Sequence, residues 1–529
     1  MRFLSRLIHG LSDKQWLIII LCLSTTLHIV RIGYPARPVF DEMHFATYAA
    51  NYARGEAVFD IHPPLGKIIH ALPLVLSSKE KIENASYIRI EFSEAKQKIE
   101  TLPGSQAVFG DFPYVQMRLI SALFGIALVG AVYWLLRSLV PHGHAPVIGA
   151  LFVALENSML LNSRLILLDS MYMFLSVLAL ALYFHPRRMI VRAGIVWGLA
   201  LLIKITAITF VGPIVISVLA TFRIKRGEMN LRPGLTFLAA ALAVFFIGIG
   251  FLNNSIAPVE ERIALYEKMA PFVRDMYKQP EGIPFADSYL IRTTFPYIKG
   301  AVLDLLDSVS GYTVGAGYHP YSSMWYQWPL MKNPILFFDE GGDNIVLVGN
   351  AFVWFVGLGM MIAACIRLRP ILRHPKLRKP VMLFLGGYIW SLLPFILVVK
   401  RVSFLYHYFP ALLFSICLTA VIIGNFADHA RAHERRQILI GVILLVIAGF
   451  IMSAPLTYGF PFNAGSSTPP PPQAITDCSN SVDDDGDGFI DWDGGSKGFA
   501  FADPACVGST MTSELPFNGG SGTPTAENN

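Results

Sequence analysis

Long apolar stretches recur along the chain, separated by short polar connections and by two long polar segments. A helix rises about 1.5 Å per residue, so roughly 20 apolar residues cross the ~30 Å hydrocarbon layer of a bilayer. The stretches fall near residues 15–31, 119–140, 145–162, 165–184, 193–203, 205–222, 234–252, 345–366, 381–399, 402–424 and 438–456. This pattern predicts an all-α polytopic membrane protein with about eleven transmembrane helices.

One stretch, between Arg192 and Phe222, is almost continuously apolar and is interrupted by Lys204. A single crossing would place the basic clusters at its two ends on opposite sides of the membrane. Because Lys and Arg accumulate in cytoplasmic loops, an even number of crossings fits better. We therefore predict two short helices that turn near Lys204.

The basic clusters also predict which connections face the cytoplasm. They lie at residues 185–192, 223–226, 367–379 and 431–436. Arg2, Arg6 and Lys14 precede the first helix, so the N-terminus is predicted to be cytoplasmic. No small-residue cleavage site follows that helix, so we predict that it is retained. The C-terminus and the two long polar loops, residues 32–118 and 253–344, are then extracytoplasmic.

Composition supports a membrane protein and argues against nucleic-acid binding. The chain is 54% hydrophobic and 15% charged, whereas soluble domains carry about 25% charged residues. The net charge of +5 combines a tail near −9 from Asp477 onward with a remainder near +14. In a membrane protein, such a basic excess is typical of cytoplasmic loops. No nucleic-acid partner is expected.

The outer loops contain amphipathic segments and an aromatic run. Mixed charges over residues 79–98 suit a helix on the membrane surface or a solvated helical face equally well. Two further amphipathic segments lie near 258–278 and 296–310, followed by the Tyr- and Trp-rich residues 318–328. Aromatic density of this kind favours the membrane interface, with a sugar-binding surface as the alternative.

The chain divides into four regions: a membrane-embedded domain over residues 1–458, a Pro-rich linker over 459–476, an acidic appendage over 477–510 and a disordered tail over 511–529. Within the appendage, four aspartates have the spacing of a calcium loop. They are Asp483, Asp485, Asp487 and Asp491. Gly494 stands where the twelfth-position Glu is expected, so plain acidic disorder is the alternative.

Cysteine placement separates the appendage from the membrane domain. Cys478 and Cys506 bracket the acidic run, and we predict that they pair if the tail is outside the cytosol. The other cysteines, Cys22, Cys365 and Cys417, lie in apolar stretches and are expected to be inert.

Asp41 and Glu42 are adjacent carboxylates near the end of the first apolar stretch, where charge is costly next to lipid. On a helix they would diverge by about 100°. One could accept a proton from an attacking hydroxyl, because an unperturbed carboxylate (pKa ~4) is ionised at neutral pH. A helix N-cap or an ion pair with Arg37 is the structural alternative.

The run His62-Pro-Pro-Leu-Gly-Lys67 follows soon after. Its prolines favour an extended turn, Gly66 permits close approach, and Lys67 carries a cation at headgroup depth. A lysine there can bind a phosphate, or simply extend its ammonium to the interface.

Several polar residues lie within or at the ends of the apolar stretches, where each is expected to pair or to face a polar cavity. They include Glu156-Asn157, Asn162 to Arg164, Asp169, Lys204 and Arg118. They could form structural ion pairs or line a site for an anionic lipid headgroup.

These segments, in this order, resemble the protein O-mannosyltransferases, which use a polyprenyl-phosphate sugar donor. The resemblance covers roughly residues 15–456. It rests on Phe40-Asp-Glu-Met-His-Phe45, Phe59-Asp-Ile-His-Pro-Pro-Leu-Gly-Lys67, Met117-Arg118, Glu156-Asn157 through Asp169, Gly198 through Lys204, His319-Pro-Tyr321 with Trp325 to Pro329, and Phe404-Leu-Tyr-His-Tyr-Phe-Pro410. It implies an eleven-span fold of the lipid-linked-sugar glycosyltransferase (GT-C) type.

The resemblance also implies roles for individual residues. Asp41 would be the catalytic base that activates a Ser or Thr hydroxyl of a secreted protein, and Glu42 would help bind the acceptor. The donor phosphate would be held by some of four cations. These candidates are Lys67, Arg118, Arg164 and Lys204, and the rest of the expected substrate-binding set is His62, Asp169, His319, Tyr321 and His407.

The implied reaction inverts the anomeric carbon and needs no catalytic metal, so calcium is expected only in the tail. The second outer loop reads as helical and aromatic, without the β-rich MIR domain of eukaryotic members, which suggests a prokaryotic enzyme of the plasma membrane. One alternative is related chemistry with another sugar, or with a lipid or glycan acceptor. A transporter or scaffold is a third possibility, although no repeat relates the two halves of the chain.

Overall fold

The computed structural model describes residues 11–56, 62–76, 91–92, 99–100, 109, 112–222, 229–256, 321–340, 343–397 and 403–460. The predicted calcium ligands Asp483, Asp485, Asp487 and Asp491, the predicted Cys478–Cys506 pair and His319 lie outside these residues. Predictions for them stay predictions.

Fifteen α-helices form the described part of the chain. They are α1 (Asp13–Ile29), α2 (Glu42–Arg54), α3 (Leu65–Val75), α4 (Tyr114–Leu139), α5 (Ala145–Ala154), α6 (Asn157–Ser163), α7 (Asp169–Phe184), α8 (Ile190–Leu201), α9 (Gly212–Leu219), α10 (Arg232–Ile256), α11 (Ala351–Ile366), α12 (Leu368–Arg373), α13 (Arg378–Leu397), α14 (Phe409–His429) and α15 (Ala432–Tyr458). Short 3₁₀ turns occupy Ile205–Phe210, Trp328–Leu330 and Leu405–Tyr408.

Every predicted apolar stretch contains a helix, but the helices differ in length. Five are long and apolar enough to cross a bilayer, or six if the bent pair α5 and α6 counts as one span. The other apolar helices have 10–17 residues. The predicted number of eleven crossings therefore stays a prediction, although a helix lies at each expected position.

The described residues include two strand pairs. β1 (Glu91–Phe92) lies within residues 79–98, where a helix was predicted, and pairs antiparallel with β2 (Ile99–Glu100), just beyond that segment. β3 (Ile335–Glu340) and β4 (Asp343–Leu347) form a hairpin with a bulge between Leu336 and Phe338. The prediction of a helix beginning at residue 345 is therefore wrong, since residues 345–347 belong to β4.

Burial differs strongly between the long helices and shows where the core lies. The apolar segment that contains α14 is 83% buried, whereas the apolar segments of α10 and α15 are only 28% buried. α4 packs against α1, α5 and α7, and α8 packs between α7 and α10. Exposed Leu235, Ile247 and Phe251 on α10 leave an apolar outer face that suits contact with lipid.

A buried polar cluster fixes the bend between α5 and α6. The Glu156 carboxylate accepts hydrogen bonds from the Met159 amide (2.7 Å), the Ser158 hydroxyl (2.7 Å) and the Asn350 amide (2.9 Å). α5 and α6 meet there at 60°. The carboxylate thus satisfies amides at the starts of two helices, which need acceptors because no turn precedes them.

Asn350 explains why α11 starts at residue 351. Its side-chain oxygen accepts from the Phe352 and Val353 amides, as an N-cap does. Its side-chain nitrogen donates to the carbonyls of Leu155 (2.9 Å) and Val446 (2.8 Å). One buried amide therefore joins α11, the α5–α6 bend and α15.

Replacing Asn350 with alanine should destabilise the protein by about 2 kcal/mol or more. The substitution removes the N-cap of α11 and the side-chain amide that donates to the buried carbonyls of Leu155 and Val446. Unfolding in detergent, followed by circular dichroism, measures the change. Asn230→Ala, at an exposed position, is the control and should unfold like the wild type. Equal stability of the two variants would contradict the role given to Asn350.

Candidate active site

Asp41 and Glu42 stand at the start of α2, and the helix separates their side chains. Asp41 is the N-cap residue, but its side chain makes no capping hydrogen bond to the helix amides. The carbonyl of Asp41 instead accepts the amides of His44 and Phe45, both at 3.1 Å. Asp41 is partly exposed, whereas Glu42 is completely buried. The two acids thus have different environments.

Glu42 is held in a buried ion pair with Arg118 of α4. Nε of Arg118 donates to Glu42 Oε1 at 2.8 Å, and Nη2 donates to Oε2 at 2.6 Å. The amides of Val39 and Ile166 donate to the same two oxygens, at 3.1 and 2.8 Å. Four hydrogen bonds occupy the carboxylate, and both side chains are 0% exposed.

Arg118 uses its remaining donors on the first outer loop. Nη1 donates to the carbonyls of Ile32 (3.0 Å) and Pro35 (2.9 Å), and Nη2 donates to the carbonyl of Arg37 (3.3 Å). A guanidinium has five N–H donors, and all five have protein acceptors. Arg118 and Glu42 therefore hold the loop before α2 in place, and their predicted contacts with phosphate and acceptor stay predictions.

Arg164 closes the ends of two helices. Nε donates to the carbonyl of His28 (3.4 Å), Nη1 to that of Thr457 (3.2 Å), and Nη2 to that of Val30. Its Cζ lies 4.3 Å from the Tyr458 ring centroid. Carbonyls at helix C-termini lack helical partners, and a cation satisfies them. The predicted phosphate contact of Arg164 stays a prediction.

Lys204 and Asp169 form a second buried ion pair, with 2.9 Å between Nζ and Oδ1. Lys204 follows the break after α8, as the sequence predicts, and Asp169 opens α7. The ammonium lies 5.8 Å from the Tyr172 ring and 5.5 Å from the Tyr406 ring. Of three N–H donors, one is directed at Asp169. Lys204 thus keeps more donor capacity than either arginine.

The run that begins at His62 packs beside Lys204. The Leu65 amide donates to the carbonyl of Leu202 at 3.1 Å. A Cβ on Gly66 would lie 2.7 Å from Leu168 and 2.9 Å from Ile203, so only glycine fits without displacing neighbours. The glycine therefore permits the close approach that the sequence suggests.

The next residue, Lys67, is completely buried. Its Nζ donates to the carbonyl of His62 at 2.6 Å and lies 5.7 Å from the Tyr48 ring centroid. The His62 ring stacks on Phe45 of α2 at 6.1 Å. These contacts bring the His62–Lys67 turn against α2.

Tyr406 joins the two halves of the candidate site. Its ring meets Phe40, the residue before Asp41, at 5.9 Å and lies under Lys204. His407 stacks on Tyr406 at 4.4 Å and on Trp328 at 6.0 Å. The turn before Asp41 and the Lys204–Asp169 pair are therefore connected through one ring.

The sequence gives Tyr406 no role beyond its place in the Phe404–Pro410 motif, and it gives Phe337 no role. The structure stacks Phe337 on Phe40 with centroids 4.3 Å apart. Nothing in the sequence pairs these two residues, which lie far apart along the chain. Tyr321 is partly buried against the core. In the described part of the chain, no cluster of three or more His, Cys, Asp or Glu residues could hold a metal.

Family models match two large parts of the chain. Residues 18–254 match the dolichyl-phosphate-mannose-protein mannosyltransferase model, and residues 305–468 match the C-terminal four-transmembrane region of protein-O-mannosyltransferase. The protein O-mannosyltransferase 1 of Drosophila pseudoobscura pseudoobscura is 34% identical over 167 residues, which are 32% of this chain and 16% of the fly protein.

The dolichyl-phosphate-mannose–protein mannosyltransferase 1 of Saccharomyces cerevisiae is 31% identical over 160 residues, 30% of this chain and 18% of the yeast protein. The matched segments thus cover less than a fifth of both relatives.

Two solved structures share the fold. A chain of the S. cerevisiae protein O-mannosyltransferase Pmt1-Pmt2 complex bound to the sugar donor superposes with a TM-score of 0.61 and 17% identity, covering 87% of this chain and 92% of that one. The Archaeoglobus fulgidus oligosaccharyltransferase gives 0.50 and 14%, covering 87% and 57%. The fold is thus that of a membrane glycosyltransferase.

Arg118→Lys should cost about 3 kcal/mol of stability, because three donors cannot replace five and the two-pronged bond to Glu42 is lost. Detergent unfolding measures the change. The control is Arg137→Lys, in an exposed pair with Asp13 at 3.2 Å, which should cost at most about 1 kcal/mol. Unchanged stability of Arg118→Lys would favour the predicted phosphate role instead.

Proposed function

We propose, because the chain belongs to the protein O-mannosyltransferase family, that it transfers mannose from a polyprenyl-phosphate donor to Ser or Thr hydroxyls of proteins. The relatives' names specify dolichyl-phosphate mannose as their donor. A donor of the same chemical class, a mannosyl phosphate on a long polyprenyl chain, fits a site that is embedded among apolar helices.

The separation of the two acids supports this proposal most directly. Glu42 is buried and its oxygens are occupied, whereas Asp41 is partly exposed at the start of α2. Partial exposure makes Asp41, rather than the fully buried Glu42, the acid that a substrate can reach. We assign it as the base that accepts the acceptor's hydroxyl proton.

The reaction follows from this assignment. The hydroxyl oxygen attacks the anomeric carbon of mannose from the face opposite the polyprenyl phosphate. The new C–O bond forms as the bond to the phosphate oxygen breaks, and that electron pair leaves with the phosphate. The hydroxyl proton passes to Asp41, and the configuration inverts.

Negative charge grows on the departing phosphate, and a nearby cation lowers the barrier. Among the four predicted cations, Arg118 and Arg164 spend their donors on protein carbonyls and Glu42. Lys204 directs one donor to Asp169 and contacts the ring that also meets Phe40. We therefore assign the phosphate contact to Lys204, with Lys67 in the adjoining turn.

We also propose which side of the membrane the site faces. The basic clusters support an extracytoplasmic position for Asp41, where secreted acceptors pass. A plasma-membrane enzyme of a prokaryote is consistent with the short second outer loop, while the relatives named above are eukaryotic.

Asp41→Asn should reduce transfer at least 100-fold, because the amide cannot accept the proton, and general-base catalysis contributes 10²–10⁴. Purified protein is incubated with labelled polyprenyl-phosphate mannose and a Ser/Thr-rich peptide, and labelled peptide is counted. Asp13→Asn, at a partly exposed acid at the start of α1, serves as the control.

Full activity of a folded Asp41→Asn protein would remove Asp41 as the base. If the wild-type protein leaves labelled mannose only in lipid, a lipid or glycan acceptor would be favoured over a protein.

Lys204→Gln should lower kcat about 100-fold, the loss typical of one group that stabilises developing negative charge. Because this change leaves Asp169 buried without its cation, the double variant Lys204→Gln/Asp169→Asn separates lost chemistry from lost stability. Lys332→Gln, at an exposed lysine, is the control. If the folded double variant keeps wild-type kcat, Lys204 does not act on the phosphate.

A further inference from the structure

Phe40, the residue before Asp41, has an unusual backbone. Its φ is +52°, in the left-handed region that residues with a bulky side chain seldom adopt. Such a conformation persists only when the surrounding structure holds it, and it concentrates at functional sites. The turn that presents Asp41 therefore requires an anchor on its N-terminal side.

The Phe40 ring supplies that anchor through two aromatic contacts. It stacks on Phe337 with centroids 4.3 Å apart and planes within 8° of parallel. It meets Tyr406 edge to face, at 5.9 Å and 70°. Phe337 is 7% exposed, whereas Phe40 is partly buried, so the Phe337 side of the stack is shielded from solvent.

Strand β3 carries Phe337 on its buried face. Ile335 and Phe337 are buried, whereas Leu336 and Phe338 are partly exposed, so burial alternates along the strand. Leu336 pairs with Val346 and Phe338 pairs with Ile345, which leaves Phe337 as the extra residue at a β-bulge. The buried face of β3 therefore directs the Phe337 ring at Phe40.

The hairpin that carries Phe337 is itself fixed to the membrane domain. The Tyr34 hydroxyl donates to Asp343 at the start of β4, and β4 packs on α15. The position of Phe337 is thus set by α15 as well as by the outer loop.

We propose that the stacked Phe40–Phe337 pair is a positioning element that sets the orientation of Asp41. Asp41 then lies between two anchored neighbours, since Glu42 is bound to Arg118 on the other side. The inference rests on the proposed role of Asp41 as base. Phe337 does not touch the reacting atoms; it acts through the backbone of the turn.

A positioning residue affects the chemical step more than donor binding. The donor phosphate is assigned to Lys204, whereas the ring pair controls the residue that takes the proton. A misplacement of about 1 Å at a reacting group can cost on the order of 100-fold in rate. Loss of the stack should therefore lower kcat while the KM for the donor changes little.

Four variants of the full-length protein test this in the peptide transfer assay. Phe337→Ala removes the ring, Phe337→Leu removes it but keeps apolar volume, and Phe337→Tyr keeps it. Phe338→Ala is the matched control, because Phe338 contacts Tyr34 and Arg37 in the same hairpin and has no stacking contact with Phe40.

We expect kcat to fall 10- to 100-fold in Phe337→Ala and Phe337→Leu, with the donor KM within about twofold of wild type. Phe337→Tyr should restore kcat to within about threefold, and Phe338→Ala should stay near wild type. Equal losses in Phe337→Leu and Phe338→Ala, or a wild-type kcat in folded Phe337→Leu, would overturn the proposal.

Amide hydrogen exchange gives a second reading that needs no transferase activity. The turn contains the hydrogen bond from the Glu42 amide to the Val39 carbonyl, at 3.1 Å. In Phe337→Leu, amides of residues 39–45 should exchange several-fold faster, while Phe338→Ala should leave them unchanged. Unchanged exchange in Phe337→Leu would overturn the proposal. A wild-type protein that transfers no mannose would instead overturn the proposed function.

Discussion

The ion pair between Glu42 and Arg118 is the interaction on which the candidate site depends. Two fully buried charges are costly to desolvate, and they persist here because every donor and acceptor has a partner. Arg118 binds three carbonyls of the loop before α2, and Glu42 binds the Ile166 amide ahead of α7. Helix α4, the first outer loop and α2 are thereby held as one unit. Asp41 acquires its place because its neighbour is immobilised.

A second set of contacts joins this unit to the part of the site that carries Lys204. The chain breaks after α8, and Gly66 allows the His62–Lys67 turn to lie directly against the break. Tyr406 covers Lys204 and meets Phe40. One aromatic ring therefore connects the residue before Asp41 with the cation Lys204. An acid and a cation held in separate parts of one site suit a reaction in which a proton is removed from one reactant while negative charge develops on the other.

Several features were predictable because they depend on local chemistry. Apolar length located a helix in each apolar stretch, and the sidedness of the basic clusters predicted the break near Lys204, whereas α2 and α3 lie in a segment predicted only as a polar loop. The hairpin over residues 335–347 was missed, because its apolar run Ile345–Leu347 continues into the apolar α11 and only Asn350 ends one element and starts the next. The contacts of Arg118 and Arg164 were not predictable either, because the sequence does not show which carbonyls and carboxylates surround a buried arginine. Their predicted contacts with the donor phosphate stay predictions.

By itself, the sequence determined the membrane class, the positions of the apolar helices, the family resemblance and the identity of the acid pair. These follow from hydrophobicity, charge and residue order, which need no knowledge of distant contacts. Only the tertiary structure decided which acid is exposed, which cations are already occupied and which ring orders the turn before Asp41. Those outcomes depend on partners such as Arg118 and Phe337, which lie far from residues 40–42 along the chain. The packing of the helices and the hairpin brings these residues together, and no local sequence pattern predicts those contacts.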